Sequence, residues 1–352
     1  MKKLVKFMSP FAPDQSGACG VLYEFGGLTV ICDAGGCAGN ICGFDEPRWF
    51  TYRSAVFSAG LRDMDAILGR DDRLIAKLTK AQEQLHTEFT AIIGTPVPAV
   101  IATDYRALSR MAEKKTGVPC ITVDCTGTHY YDAGEKKAWT ELFRRFAVED
   151  FGAESGRVGI LGATPLETSM SGSEKIVSDC YRMGIEKPIV YGMGFGLDYV
   201  REASRAEKNL VISLSALPAA EYLRERFGTP FEVGFPFLPE DIKERARSLK
   251  DRKVLIIHSQ LIANTLRDEI GDDSAVTAAS WFGVDERYSR SGDVHLADED
   301  ALAELISSGG FDTVISDGAV GRLLHSVGFG GELIELPHFA VSGQLWESGE
   351  AP

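Results

Sequence analysis

The chain has no GxxxxGK[ST] loop, no Gly-x-Ser-x-Gly elbow and no HExxH pair. The first absence argues against ATP held in a P-loop of this chain. The second argues against an α/β-hydrolase, and the third against a zincin-type metal site. No apolar run approaches the roughly 18 residues that a spanning helix needs. The opening MKKLVKFMSPFAP carries basic residues but few apolar ones, and no small-residue cleavage site follows. Neither a signal peptide nor a membrane segment is therefore expected, and the reading is a cytoplasmic protein. Positive charge is also short: 37 Lys and Arg stand against 51 Asp and Glu, a net charge of −14. That balance argues against nucleic acid or an anionic membrane surface as the main partner. Histidine is sparse and scattered, at positions 86, 129, 258, 295, 325 and 338, with no i, i+4 pair.

Cysteine is plentiful by contrast. Seven occur in 352 residues, and without an export signal they do not suggest a disulfide framework. The alternatives are buried inert thiols, a metal or Fe–S site, or a nucleophile. Cys180, in the helical pattern EKIVSDCYRMG, reads as a plain thiol of the core or surface.

Four of the seven fall between Ser16 and Arg48, at Cys19, Cys32, Cys37 and Cys42. Leu28 to Cys32 reads as a buried parallel strand that ends in a turn of small residues, Asp33 to Gly39. Such a turn lets backbone N–H groups and a thiolate approach a large inorganic object or another chain. Gly20, Gly35 and Gly36 are the backbone positions expected to line it. Cys32-x4-Cys37-x4-Cys42 is neither a zinc-knuckle nor a ferredoxin spacing, so spacing alone leaves a metal site open. Strand alternation points Cys32 into the core and leaves Cys37 free to ligate. Cys19, in the small-residue stretch SGACG, is expected in a second turn converging with the first.

The rest of the chain alternates strand and helix. A helix is expected from Arg73 to His86, where Leu74, Ile75, Leu78 and Leu85 recur at helical spacing. Short strands follow at Phe89 to Gly94 and Val118 to Cys125, with helices at Asp104 to Lys115 and Ala138 to Phe146. A second unit opens at Arg157, and a third at Lys253 after the Pro- and Gly-rich FGTPFEVGFPFLPED. This alternation predicts an α/β chain of three Rossmann-like domains with parallel sheets flanked by helices. The expected boundaries are 1–152, 153–250 and 251–352. Gly192-Met193-Gly194-Phe195-Gly196 lacks the G-x-G-x-x-G spacing and reads as a plain glycine loop. His129 lies four residues after Cys125, at the C-terminal end of a strand, where open α/β sheets place ligands; a surface histidine is the other reading.

SPFAPDQSGACG, LTVICDAGGCAGN, FSAGLRDMDAILGRDDRLIAKL and GVPCITVDCTGTHYYDAG together resemble component 1 of the nitrogenase superfamily. That group also contains reductases of chlorophyll and nickel-tetrapyrrole biosynthesis. The resemblance implies paired subunits, identical or paralogous, with a [4Fe–4S]-type or related Fe–S cluster near their interface. It further implies an ATP-hydrolysing iron protein as electron donor, oxygen sensitivity, and a small-molecule substrate in the cleft between the domains. Cys19 and Cys37 match two of the family's cluster-ligating cysteines. The third falls on Gly94-Thr95-Pro96, so Cys125 is the expected replacement ligand. The family histidine before G-P is Cys32 here, and no counterpart of the ligands of nitrogenase's catalytic cofactor is evident. A leaner reductase with one bridging cluster follows, with His129, Asp33 and Asp124 as expected proton donors. The competing readings are a scaffold of the same fold that binds a metallocofactor or tetrapyrrole, and a metabolite-binding α/β enzyme with structural cysteines.

Overall fold

Short runs such as Leu-Thr-Val-Ile, Thr-Ala-Ile-Ile and Val-Leu-Ile-Ile are apolar on both faces, which suits strands covered on both sides by helices. The computed structural model describes residues 5–169, 172–271 and 275–343, and in it these runs form three all-parallel sheets. The first holds β1 (Leu28–Ile31), β2 (Ala55–Ser58), β3 (Thr90–Ile93) and β4 (Cys120–Val123), in the order β2-β1-β3-β4. The second holds β5 (Glu154–Leu161), β6 (Lys187–Val190), β7 (Ala206–Val211) and β8 (Phe231–Val233), ordered β6-β5-β7-β8. The third holds β9 (Val254–Ile257), β10 (Val276–Ser280), β11 (Val294–His295), β12 (Thr313–Ser316) and β13 (Glu332–Glu335), ordered β11-β10-β9-β12-β13. The chain is thus the expected α/β protein. None of its described helices is long and apolar enough to cross a membrane. Residues 1–4 of the basic opening and the polar tail from 344 onward lie outside the described residues.

Helix ends fall close to the periodicity. The Asp71–Leu85 helix buries Leu74, Ile75 and Leu78, while Leu85 stays exposed at its last turn. The helix expected from Ala138 begins earlier, at Tyr131, and runs to Phe146.

SGACG is not a turn. It lies inside a helix, Asp14–Leu22, that is buried along its whole length, so its apolar residues show no single face. Its glycines serve contact between backbones. A Cβ on Gly17 would stand 2.0 Å from the Tyr131 carbonyl oxygen, and one on Gly134 would stand 1.7 Å from that of Asp14. The Asp14–Leu22 and Tyr131–Phe146 helices therefore cross backbone against backbone, at two positions where no side chain fits.

The three sheets do not have separate cores. One apolar cluster runs from Cys19, Leu22 and Ile93 through Trp139 and Phe143 to Leu161, Val211 and Leu223. It therefore joins the first two sheets through the Tyr131–Phe146 helix. A second cluster joins Ile160 and Leu210 to Ile256 and Leu266, and so the second sheet to the third.

In each sheet the strand order reverses direction once: between β1 and β3, between β5 and β7, and between β9 and β12. Loops leaving neighbouring strands there diverge to opposite faces and leave a crevice at the C-terminal edge. The chemistry of this chain gathers at these three crevices.

Candidate functional site

At the first crevice, Asp33 follows β1 and is buried. Its Oδ2 accepts the Ala38 N–H at 2.8 Å and its Oδ1 the Ser58 hydroxyl at 2.6 Å. It thereby closes the turn that starts the Gly36–Asn40 helix and ties it to the end of β2. Gly35 holds φ at +118°, a conformation L side chains rarely adopt. Cys37, in the first turn of that helix, is half-buried beside Thr95 from the end of β3. Burial, then Asp33, push its thiol up, and a hydrogen bond with Thr95 pulls it partly back. Above it the surface is bare: a Cβ on Gly35, Gly36, Gly39 or Gly43 would meet nothing within 4 Å. The flanking segments expose Phe44, Val97, Val100 and Ile101.

Cys19 lies beneath, fully buried on its helix, not in a turn at the surface. Burial foremost, then Glu46 and Cys42, hold its thiol well above the ordinary value; Arg48 opposes them and Cys125 adds a smaller push. Cys125 is also buried, and burial and then Asp14 raise it strongly. Cys42, half-buried, is pushed up to about 11 by burial, Glu46 and Asp33. Cys42 and Cys125 thus each lie within electrostatic reach of Cys19, while Cys37 faces Asp33 and Thr95. Cys32 packs inward with Leu74, Ile75 and Leu78, as alternation predicts. Among the described residues, no three His, Cys, Asp or Glu side chains of one chain stand together as an ion-holding group.

Gly20 is covered. Its carbonyl accepts Arg48 Nη2 at 2.6 Å, so it serves a clamp instead of an open cradle. The buried Arg48 guanidinium also bonds both Glu46 oxygens at 2.7 Å, Glu24 at 2.9 Å and the Gly192 carbonyl at 3.0 Å. Glu24 in turn accepts the Gly194 N–H at 2.7 Å. The Gly192–Gly196 loop is therefore where the second sheet docks on the first.

The three expected proton donors do not converge. Asp33 is committed to its two hydrogen bonds. Asp124 is exposed and pairs with Lys137 at 2.8 Å. His129 is exposed on the rim of a hollow shared with Asp132 and His295.

A different set of groups meets at the second and third crevices, and sequence reasoning missed it. Glu135, fully buried on the Tyr131–Phe146 helix, accepts the Thr164 hydroxyl at 2.6 Å and that of Ser215 at 2.8 Å. Glu167, on the turn after β5, accepts the Ser213 hydroxyl at 2.7 Å and a bond from Tyr131. The Tyr131 hydroxyl also lies 3.4 Å from His338 Nε2, and His338 stacks on His258 at 4.7 Å. His338 Nδ1 accepts the Ala340 N–H and His258 Nδ1 the Ser259 N–H, so both rings carry their proton on Nε2 when neutral. Burial holds both below the ordinary value, His258 at about 4. Burial and then Glu167 raise Glu135 strongly, and burial raises Glu167 to about 7. Of these groups Tyr131, Glu167, Ser213 and Ser215 border a cleft of about 130 Å³, walled by the Tyr131–Phe146 helix and by residues that follow strands of the second and third sheets, Ser259 and Arg287 among them. One sequence signal was available: Glu135 stands on the helix's apolar face, four residues after Tyr131 and three before Ala138.

Residues 20–262 match the family of nitrogenase component 1 type oxidoreductases. The chain belongs to that family. Among curated nitrogenase-type relatives, the iron–molybdenum cofactor biosynthesis protein NifE of Clostridium pasteurianum is 25% identical over 204 residues, 57% of this chain and 43% of NifE. One of the subunits of the light-independent protochlorophyllide reductase of Chlorobium phaeobacteroides is 26% identical over 170 residues, 47% of this chain and 31% of that relative. The matches thus span less than half of each relative's length. The solved structure of nitrogenase Cp1 at pH 6.5 superposes with a TM-score of 0.70 at 11% identity, covering 97% of this chain and 88% of that one. The nitrogenase component 1 fold is therefore present throughout the described chain.

For a member of this family, the test is whether its residues suit an Fe–S cluster. The donor chemistry fits: thiols of four cysteines belong to or pack against one apolar core, and thiolate is the ligand iron–sulfur clusters take. The uncovered glycine face over Cys37 leaves room for a bulky group to approach. Thr95, the position where the resemblance places the family's third cysteine, lies beside Cys37.

Proposed function

We propose that this protein is the cluster-holding subunit of a nitrogenase-like reductase. Two chains, identical or paralogous, meet over the glycine face of Cys37 and share one [4Fe–4S]-type cluster. Cys37 and Cys19 would hold it, with Cys125 as third ligand. Bound there, the cluster would supply one-electron transfer at low potential. The electrons come from a separate ATP-hydrolysing iron protein and go to a small molecule in the cleft between the three sheets. The observation that carries this reading is Cys37 itself: a thiol at the crevice of the first sheet, under a bare glycine surface flanked by exposed Phe44, Val97 and Val100. One relative is named as a single component of a multi-chain reductase, which also supports an assembly of unlike chains.

Iron and acid-labile sulfide per chain, measured on anaerobically purified protein, test the site. About two irons per chain and a reduced-cluster resonance are expected from a four-iron cluster shared by two chains. Cys37→Ala should remove both. Unchanged iron in that variant would end the ligand assignment.

A second reading is favoured by the other relative, a cofactor biosynthesis protein: a scaffold that carries a metallocofactor without reducing it. Turnover with an added iron protein and ATP separates the two, since a scaffold gives none.

A further inference from the structure

We propose that Glu135 and Glu167 share one proton across Ser215 and Ser213, and that Glu167 hands it to the molecule bound in the three-domain cleft. The delivery step rests on the reductase reading; the shared proton does not.

The argument is a count of hydrogens. Ser213 Oγ lies 2.7 Å from Glu167, Ser215 Oγ lies 2.8 Å from Glu135, and the two serine oxygens are 2.9 Å apart. Three links in series need three protons, and two hydroxyls supply two. If each serine donates to its own carboxylate, the serine oxygens face each other with no proton between them. A proton on one carboxyl completes the row: Glu135 donates to Ser215, Ser215 to Ser213, and Ser213 to Glu167. A hop of each of the three protons across its own hydrogen bond reverses the row and moves the acid to the other end. Ser213 Oγ also accepts the Ser215 N–H at 3.3 Å, which leaves it a lone pair for one O–H.

The surroundings enforce a single shared charge. No ion pair reaches either carboxylate among the described residues, and two buried carboxylates without a cation cannot both stay ionised cheaply. Asp132, from the same helix as Glu135, adds negative charge. On the cleft's far side Arg287 is engaged by Asp285 and Glu221, and Lys136 lies on the cleft wall. His258 and His338 face the pair from the third sheet as neutral rings, behind Tyr131. Only one end of the row meets the cleft as a carboxyl: Glu167 lines it, while Glu135 has no exposed surface. The row sits at the crevice between β5 and β7, where a sheet of this order binds ligands.

The step balances with the electron donor named above. For each electron the ligand receives, its acceptor atom takes the Glu167 proton; the carboxyl O–H bond breaks and a new bond to hydrogen forms on the ligand. Glu167 is left as carboxylate. The proton reaches Glu167 beforehand from Glu135 along the serine row; after the transfer both groups are carboxylates, and the pair regains one proton from solvent through the cleft.

The test uses the full chain carrying glutamate labelled with ¹³C at the carboxyl, titrated by NMR. In the wild type, Glu135 should remain protonated at pH 7 and Glu167 should titrate in a separate, lower step. Glu167→Gln removes the facing charge and should weaken proton binding at Glu135 by about ten-fold or more, one pKa unit. Two ionised carboxylates at pH 7, or a Glu135 titration indifferent to Glu167→Gln, would overturn the shared proton. Ser213→Ala keeps both acids and their repulsion but breaks the row, and should raise the Glu167 step by removing the hydroxyl bonded to it; an unchanged titration would count against the row, so the result does not hang on one variant.

Delivery is read from turnover with iron protein and ATP. Glu167→Gln should lower kcat about ten-fold or more with KM unchanged and flatten its pH profile, and Glu167→Asp should restore part of the rate. An unaltered kcat in Glu167→Gln overturns delivery. If the wild type titrates as stated yet turns nothing over, the reductase reading falls together with delivery, and the shared proton stands.

Discussion

The Thr95 hydroxyl donates to the Cys32 carbonyl at 2.8 Å and so fastens the turn after β3 to the turn after β1. Thr95 is wholly buried and also lies beside the Cys37 thiol, so one side chain closes the crevice of the first sheet. Thr95→Val keeps the shape and leaves a buried carbonyl without this donor. A loss of about 1–3 kcal/mol is expected by urea unfolding, against little change for Thr95→Ser.

The helix crossing gives a sharp contrast between two glycines. Gly134→Ala drives a methyl group into the Asp14 backbone, which cannot swing aside. It should cost upward of about 3 kcal/mol or prevent folding. At Gly39, where a Cβ meets nothing, Ala should be tolerated within about 1 kcal/mol. Thermal unfolding of the two variants side by side measures the difference.

Arg48→Met removes the cation that pairs with both Glu46 and Glu24 and strands the two carboxylates. Breaking such a pair should cost about 3–5 kcal/mol. Replacing Glu46 by Leu in the same chain should recover part of that loss, because the stranded charge goes with it. Should Arg48→Met prove neutral in chemical denaturation, the clamp does not hold the second sheet to the first.

Stability should depend on pH through Glu135. Its native proton affinity is raised, so the folded chain keeps a proton that the unfolded chain gives up above the ordinary value of 4.5. The sign follows: this contribution is complete below 4.5 and is lost as pH rises toward the native value. Glu135→Gln removes it. The variant should therefore gain on the wild type by about 1.4 kcal/mol for each pH unit above roughly 5, until native Glu135 ionises. His258 and His338 act in the opposite direction but are common to both proteins and cancel. Parallel unfolding curves at pH 5 and pH 8 would overturn the assignment.

Much of the architecture could be read before the structure. Runs such as Thr90–Ile93 and Val254–Ile257 are short, apolar and flanked by helical periodicity, which leaves a parallel strand as the consistent choice. The family motifs were likewise legible, because Asp33 to Asn40 keeps its small residues together in sequence. SGACG misled for a physical reason: Gly17 looks like a turn residue until its neighbour across space, Tyr131, is known. Glu135 and Glu167 were invisible as a pair. Their row is assembled from positions 135, 164, 167, 213 and 215, drawn from three segments with no local pattern, and only the fold brings them to one crevice. Cys125 illustrates the intermediate case, foreseen near Cys19 yet found sealed in the core beside it.

The glycine contact between the Asp14–Leu22 and Tyr131–Phe146 helices has a mechanical consequence. Cys19 rides on one of these helices and Glu135 on the other, and their backbones touch at Gly17 and at Gly134. The thiol edge and the acid edge of the molecule are thereby set in one stiff unit. Their separation is a fixed dimension of the chain, established on folding, like the gap between two jaws cut from a single block.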